Sequence, residues 1–519
     1  RLFGLLGDST IGMATVAAES GIEYVSSRHE GGAISLAAGY SFATNAPAVT
    51  TVSTGPGLTN AITALRAAVD LRLAVVVIVA TAPADGRLNR QRIPHRGYVE
   101  LVGAGWHSIT DHAEIQPGMQ QAWHRAASEH RPQVVEVSYE VMHSPGESGP
   151  PTQAPPEITE PEIVGEVEAA VDLLVGSSRP VIVAGLGAVF SDAEPELLAL
   201  ARSAGALLAT TLRARGLFAD DEFCIGLAGG FSSPVTHSLI RESDLILSFG
   251  AALNHHTTDN DRLFEGIPTV QVDCDPVALG RWFDTGVRIQ GDAKVVARTL
   301  VEALEMTEET SRERYRTESV RERIVSFDLG SSIVDSSSVD GLDPRIVLMQ
   351  LDQILPPHRM TITDTAHQIE WPSRYLSVRK PNTYLSCVGA GAVGNSLGTS
   401  IGAALGTDLL TVCVLGDGAL MMSLAELDTS VRAGANLLVV VMNDSAFGAE
   451  VHKVRKLGLT DRLAVFPPVN FAGVMSALGG RGIRLNQPSD VDQVPALLGA
   501  GPVLVDVPIT RDVVGQRLQ

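Results

Sequence analysis

Short, almost unbroken apolar runs, each closed by Gly, Asp or Asn, recur along this chain with helical stretches between them. Leu409-Leu-Thr-Val-Cys-Val-Leu415, flanked by Asp408 and Gly416, has no polar alternation and reads as a parallel strand buried on both faces. Leu420, Leu424, Leu427 and Val431 then recur at the spacing of one helical face, and Leu437 to Met442 forms the next strand. Strand, helix and strand make a βαβ unit. Ile22-Glu-Tyr-Val25 leads into an Ala-rich helix, and Thr51-Val-Ser53 leads through Gly55-Pro56-Gly57 into another. Arg179 to Ala184, Asp244 to Gly250 and Thr269 to Asp275 read as further strands. The pattern predicts an α/β fold of doubly wound parallel sheets, and the first and last segments repeat it faintly.

Two breaks divide the chain. Six prolines between Pro145 and Pro161, with Gly146 and Gly149, exclude a helix or inner strand and predict an extended connector. Ser326 to Asp343, rich in Ser, Asp and Gly, is the second connector. A length of 519 residues suits about three domains, expected at 1–148, 160–325 and 343–519. The net charge of −20 opposes non-specific nucleic-acid binding. Cys224, Cys274, Cys387 and Cys413 lack metal-ligand spacing, and four thiols of buried appearance point to a reducing, cytoplasmic compartment. No apolar run reaches the roughly 18 residues of a membrane span, and no secretory signal is visible. The chain opens on Arg1 rather than Met, so a short leader is expected ahead of it.

The chemistry gathers at two strand ends. Gly416-Asp417-Gly418 closes one and Asn443-Asp444-Ser445 the other. Glycines let the backbone turn sharply against a ligand, and ligands of open α/β sheets sit outside this edge. An Asp and an Asn on neighbouring strand ends can grip one hard divalent cation. So few oxygen ligands suit Mg²⁺ shared with phosphate oxygens better than a calcium cage.

On these residues the chain resembles the thiamine diphosphate-dependent enzymes, most closely the acetolactate synthase-like 2-oxoacid decarboxylases and carboligases, over nearly all its length. The resemblance implies a pyrimidine-binding, a central and a diphosphate-binding domain. It implies Asp417, Asn443 and the main chain of Ser445 as metal ligands. Glu30, within Ser27-Arg28-His29-Glu30-Gly31-Gly32, is implied to hydrogen-bond the aminopyrimidine ring and drive ionisation of the cofactor. Thr54-Gly-Pro-Gly-Leu-Thr-Asn60 matches the family's Ser/Thr-Gly-Pro-Gly-x-x-Asn segment. Gly389 to Gly394 aligns with the segment that wedges the cofactor into a V, with Val393 as the wedge. Cofactor contacts are thus expected at Glu30, Thr54, Pro56, Asn60, Gly391, Val393, Gly416, Asp417, Gly418, Ala419, Asn443, Ser445 and Phe447.

For catalysis Glu30 is joined by His29 beside it, by Gln91 and His95 in the basic loop Arg87 to Arg96, by His367 and by Glu450. Synthases carry Gln-His-Gln where this chain has Ala366-His367-Gln368, so that match is displaced. Imidazoles titrate near neutrality and suit proton transfer. Bland alternatives stand beside each: a solvated Glu30 opening a helix, structural histidines, a packing Val393 and a surface Glu450. The arginines of the basic loop either bind a carboxylate or phosphorylated substrate or are solvated.

The implied activity is thiamine diphosphate- and Mg²⁺-dependent cleavage or formation of a carbon-carbon bond next to a carbonyl, foremost 2-oxoacid decarboxylation with carboligation. A simple decarboxylase, a 2-hydroxyacyl-CoA lyase and a non-catalytic relative are the alternatives. Gly185-Leu-Gly187 begins a dinucleotide fingerprint, but Phe190 replaces its third Gly. Relatives bind FAD, ADP or nothing there; an empty domain is expected, and FAD is not favoured. In the family, Glu30 of one subunit meets the Asp417 site of another, which implies a homodimer or homotetramer acting on a small 2-oxoacid, with no nucleic acid or membrane partner.

Overall fold

A computed structural model describes residues 1–86, 89–146, 162–307 and 314–515. Arg87 of the basic loop and residues 147–161 of the first connector lie outside the described residues.

Three sheets carry the chain. The first contains β1 (Leu2–Gly4), β2 (Tyr24–Ser26), β3 (Ala48–Thr51), β4 (Val75–Ala80), β5 (Gly105–Ile109) and β6 (Gln133–Val137), in the order β2-β1-β3-β4-β6-β5. The second contains β7 (Val164–Gly165), β8 (Pro180–Ala184), β9 (Leu207–Thr210), β10 (Cys224–Leu227), β11 (Leu245–Phe249), β12 (Thr269–Asp273) and β13 (Val287–Gln290). Its order is β10-β9-β8-β11-β12-β13-β7, doubly wound in the dinucleotide-fold manner, with β7 antiparallel at one edge. The third contains β14 (Met360–Thr363), β15 (Tyr384–Ser386), β16 (Thr411–Gly416), β17 (Leu437–Asn443), β18 (Arg481–Arg484) and β19 (Val503–Pro508). Its order, β15-β14-β16-β17-β19-β18, repeats that of the first sheet, so the faint repeat is a duplicated topology. The expected α/β class with parallel sheets is what forms.

The described residues divide into two compact units, one drawn from 1–156, 336–372 and 385–519, the other from 157–335 and 373–384. In the first unit the main apolar core runs from Phe3 and Val77 to Val439 and Leu504, beside smaller clusters such as that of Val76, Ile109 and Val135. At its centre the helix Glu30–Thr44 packs on the helix Ser396–Gly406. Small residues allow this: a Cβ on Gly39 would run into the Thr399 carbonyl, and one on Gly402 into that of Leu36. The second unit buries apolar residues on both faces of its sheet, Ile182 and Leu247 on one and Val181 and Ile246 on the other.

Two expectations need correction. The helix read through Leu420 to Val431 is two helices, Asp417–Met422 and Glu426–Arg432. The Ser423 N–H turns back to the Leu420 carbonyl and closes the first, which lets Glu426 open the second. The thiols are not all buried: Cys387 and Cys413 are, Cys224 is half-buried, and Cys274, just beyond β12, is exposed. No described helix is long and apolar enough to cross a membrane.

Candidate active site

Strand β16 delivers Asp417 to the carboxyl edge of the third sheet, where it begins the helix Asp417–Met422. Its neighbour β17 is buried along its whole length, Leu437 to Asn443, and pairs with β16 up to Gly416 opposite Met442. One residue of extended chain decides which side chain meets Asp417, because successive side chains point to opposite sides. The Asn443 amide is turned toward β19, its Nδ2 donating to Asp506 at 2.8 Å and to the Val469 carbonyl at 3.0 Å. Its Oδ1 accepts from the Ser445 N–H and hydroxyl at 3.2 and 3.3 Å. Asp444 is the side chain that hydrogen-bonds Asp417. Sequence reasoning passed over Asp444. The signal that would have found it is the period-two alternation of β17, carried one residue past the strand.

Both carboxylates are sunk, with 9% and 8% of their surface exposed. Burial, followed by repulsion from Asp444, pushes Asp417 up to about 8. Burial pushes Asp444 up to about 6, against the stabilising pull of its contact with Asp417, the Ala446 N–H and Arg511. Two acids facing each other in a low-dielectric edge suit a cation that neutralises both. The Ser445 carbonyl accepts the Phe466 N–H at 2.8 Å, so one of its lone pairs is already engaged. Among the described residues no group of three His, Cys, Asp or Glu is arranged as an all-side-chain metal site. Two carboxylates plus main-chain carbonyls is instead a donor set that leaves room for phosphate oxygens, so a Mg²⁺ diphosphate fits this edge.

Gly448 opens the helix Gly448–Lys456 between Asp444 and His367. A Cβ there would overlap both the Asp444 carboxylate and the His367 ring. Burial, with His452 adding to it, holds the His367 imidazole down at about 4, so it is neutral at pH 7. Its ring meets those of His452 and Trp371 edge to face, at 5.2 and 6.3 Å between centroids. Gln368, buried next to it, faces Gly416. The Phe447 ring lies over Gly418 and packs edge-on against Phe466 at 4.8 Å. Ala419 is buried beneath this turn. Glu450 is exposed and paired with Lys453 at 3.3 Å.

The first sheet carries the second group. Glu30, half-buried, starts the helix Glu30–Thr44, and its Oε2 accepts from Asn60 Nδ2 at 3.1 Å. His29 is exposed and caps the helix, its Nδ1 accepting the Gly31 N–H at 3.0 Å. Thr54 is buried, donating its hydroxyl to the Ala80 carbonyl at 2.8 Å, while Pro56 opens the next helix, Pro56–Asp70. Gly55 sits at φ +68° with the Gln91 main chain directly over it, leaving no space for a side chain. His95 is buried and both its ring nitrogens are engaged: Nε2 accepts the Gly55 N–H at 2.9 Å, and Nδ1 contacts Glu136 at 2.7 Å. That arrangement suits a residue holding the turn more than one exchanging protons. In the basic loop, Arg92 donates to the Pro83 carbonyl and Arg96 pairs with Glu100, while Arg90 is exposed.

The wedge segment is anchored by buried Asp364, which accepts the N–H groups of Gly394 and Ser396 at 3.2 Å. Val393 is half-buried against the common core, and Gly391, at φ +65°, is exposed. Ala366 precedes His367 at φ 72° and ψ −166°, backbone space normally kept for glycine.

Residues 1–101 match the N-terminal TPP binding domain of thiamine pyrophosphate enzymes, residues 167–300 their central domain and residues 365–507 their C-terminal TPP binding domain. The chain is 26% identical to an acetolactate synthase of Mycobacterium avium, covering 94% of this chain and 80% of the relative. It is 26% identical to a sulfoacetaldehyde acetyltransferase of Castellaniella defragrans, covering 96% and 87%. Against acetolactate synthase isozyme 2 large subunit of Escherichia coli K12 it is 25% identical, covering 98% and 92%. Three successive domain matches and a buried acid pair at the third sheet's edge lead to one conclusion: the chain belongs to the thiamine pyrophosphate-dependent enzymes, with acetolactate synthases among its relatives.

Proposed function

We propose that this protein decarboxylates a 2-oxoacid and joins the remaining fragment to a second carbonyl compound, using thiamine diphosphate and Mg²⁺. The observation that carries the proposal is the facing pair Asp417 and Asp444, both buried at the strand edge of the stretch that matches the family's C-terminal TPP binding domain. When bound, the cofactor supplies the electron sink that lets CO₂ leave. The protein's own groups bind, orient and move protons. Asp417 and Asp444 hold the cation together with main-chain carbonyls of the turn that follows. Glu30, steadied by Asn60, would bind the pyrimidine ring and hold or release a proton at its own carboxylate. Val393 supports the cofactor from the core side. Neutral His367 borders the acid pair and accepts or relays a proton rather than donating one at pH 7. We also propose that Glu30 and Asp417 serve sites completed by a second copy of the chain, and that domains run over 1–148, 160–325 and 343–519.

The test supplies the protein with thiamine diphosphate, Mg²⁺ and pyruvate and quantifies CO₂, acetaldehyde and acetolactate together. One acetolactate per CO₂ supports the carboligase. Acetaldehyde in its place makes the protein a simple decarboxylase. No CO₂ from pyruvate or longer 2-oxoacids overturns the proposal.

A further inference from the structure

Glu426, on the helix that follows Asp417's, bonds the turn that leads into Glu30. Its side chain is 2% exposed, and burying a carboxylate is costly unless its oxygens are bonded. Here Oε1 accepts the N–H groups of Arg28 and His29 at 3.0 and 3.1 Å, and Oε2 accepts the Thr429 hydroxyl at 2.6 Å. The same helix, Glu426–Arg432, holds the adjoining residues. Asp428 pairs with Arg28 at 2.6 Å, and Arg432 donates to the Ser26 carbonyl at 2.7 Å. Residues 26, 28 and 29 are therefore held by this helix, while Ser27 donates its hydroxyl to the Gly4 and His29 carbonyls, and the next residue is Glu30. Nothing else bonds the Arg28 and His29 amides in this turn among the described hydrogen bonds. Space is equally tight, for a Cβ on Gly32 would run into the Glu426 carboxylate.

We propose that Glu426 is a positioning residue: by bonding the two amides that precede Glu30, it sets where the Glu30 carboxylate stands against the cofactor. The inference rests on the reading of Glu30 as the group facing the pyrimidine ring. Glu426→Ala leaves two amides without acceptors and frees the turn. Glu426→Gln keeps the acceptor oxygen, and its amide can donate to the Thr429 hydroxyl, which rotates to receive it. Misplacement of a reacting group by about 1 Å costs on the order of 100-fold in rate.

The experiment compares wild type, Glu426→Ala, Glu426→Gln and Thr429→Val, each loaded with thiamine diphosphate and Mg²⁺. It reads kcat and KM on the 2-oxoacid that the wild type turns over. It also reads the near-ultraviolet circular dichroism of the bound cofactor, which reports the tautomer of the pyrimidine ring. The expected result for Glu426→Ala is a kcat lower by about 10- to 100-fold, KM little changed and an altered dichroism band, with both properties restored in Glu426→Gln. If Glu426→Ala does not fold, Thr429→Val carries the test, with a smaller change of the same kind. A variant that loses thermal stability but keeps kcat and the band overturns the inference and leaves Glu426 a structural cap. Glu30→Gln is run alongside: an unchanged kcat there overturns the reading of Glu30 itself, and the positioning role with it.

Discussion

Replacing Asp444 by Asn removes one of two like charges without changing shape. Asp417 is raised from its ordinary 3.8 to about 8, a gap worth about 6 kcal/mol between its two protonation states. Burial is the larger cause and the Asp444 charge the next. An Asn still buries Asp417 but takes away the repulsion, so about 1–2 kcal/mol of the cost should go. The sign with pH follows. Carboxyls raised in the folded state favour folding while protonated, and that advantage is lost as pH rises from about 4 toward about 8. Metal-free Asp444→Asn should therefore match wild type near pH 4 and exceed it by about 1–2 kcal/mol at pH 8, measured as urea midpoints in EDTA. Adding Mg²⁺ and thiamine diphosphate should reverse the order, because a cation repays the wild-type pair and the variant binds it about 10- to 100-fold more weakly. A metal-free variant no more stable than wild type at pH 8, or an equal gain from Mg²⁺ in both, would refute the reasoning.

Glu30→Gln should lower kcat by about 10²- to 10⁴-fold while thiamine diphosphate still binds, as isothermal titration would show. Gly448→Ala, which pushes a methyl group between Asp444 and His367, should abolish Mg²⁺-dependent thermal stabilisation with the fold retained by circular dichroism. His95→Leu strands the Gly55 N–H and the Glu136 carboxylate and should cost about 2–4 kcal/mol in a urea titration, whereas His95→Gln should recover part of it. Ala366→Gly relieves a backbone conformation that costs an alanine about 1–3 kcal/mol, so its urea midpoint should rise; a fall would mean the Ala366 methyl packs usefully.

What the sequence determined by itself is the layer plan and the strand ends on which the candidate site stands. Continuous, β-branched apolar runs such as Leu437 to Met442 read as strands buried on both faces, and the Gly-Asp-Gly and Asn-Asp-Ser endings mark their carboxyl edge. The likeness of the first and last segments is legible as pattern, because both must alternate strand and helix to form the same strand order. Side-chain direction was decided only in three dimensions. A shift of one residue separates Asn443, bonded to Asp506, from Asp444, which meets Asp417, and a motif read as a string does not say on which side a strand's last residue points. Long-range pairing is equally silent in the sequence. Nothing near Glu426 indicates that it bonds amides 398 and 397 residues away, and nothing near His95 indicates that Gly55 and Glu136 will occupy both its nitrogens. Such partners are chosen by how the sheets and helices pack, since a buried charge or ring nitrogen must find its mate wherever the fold brings one within reach.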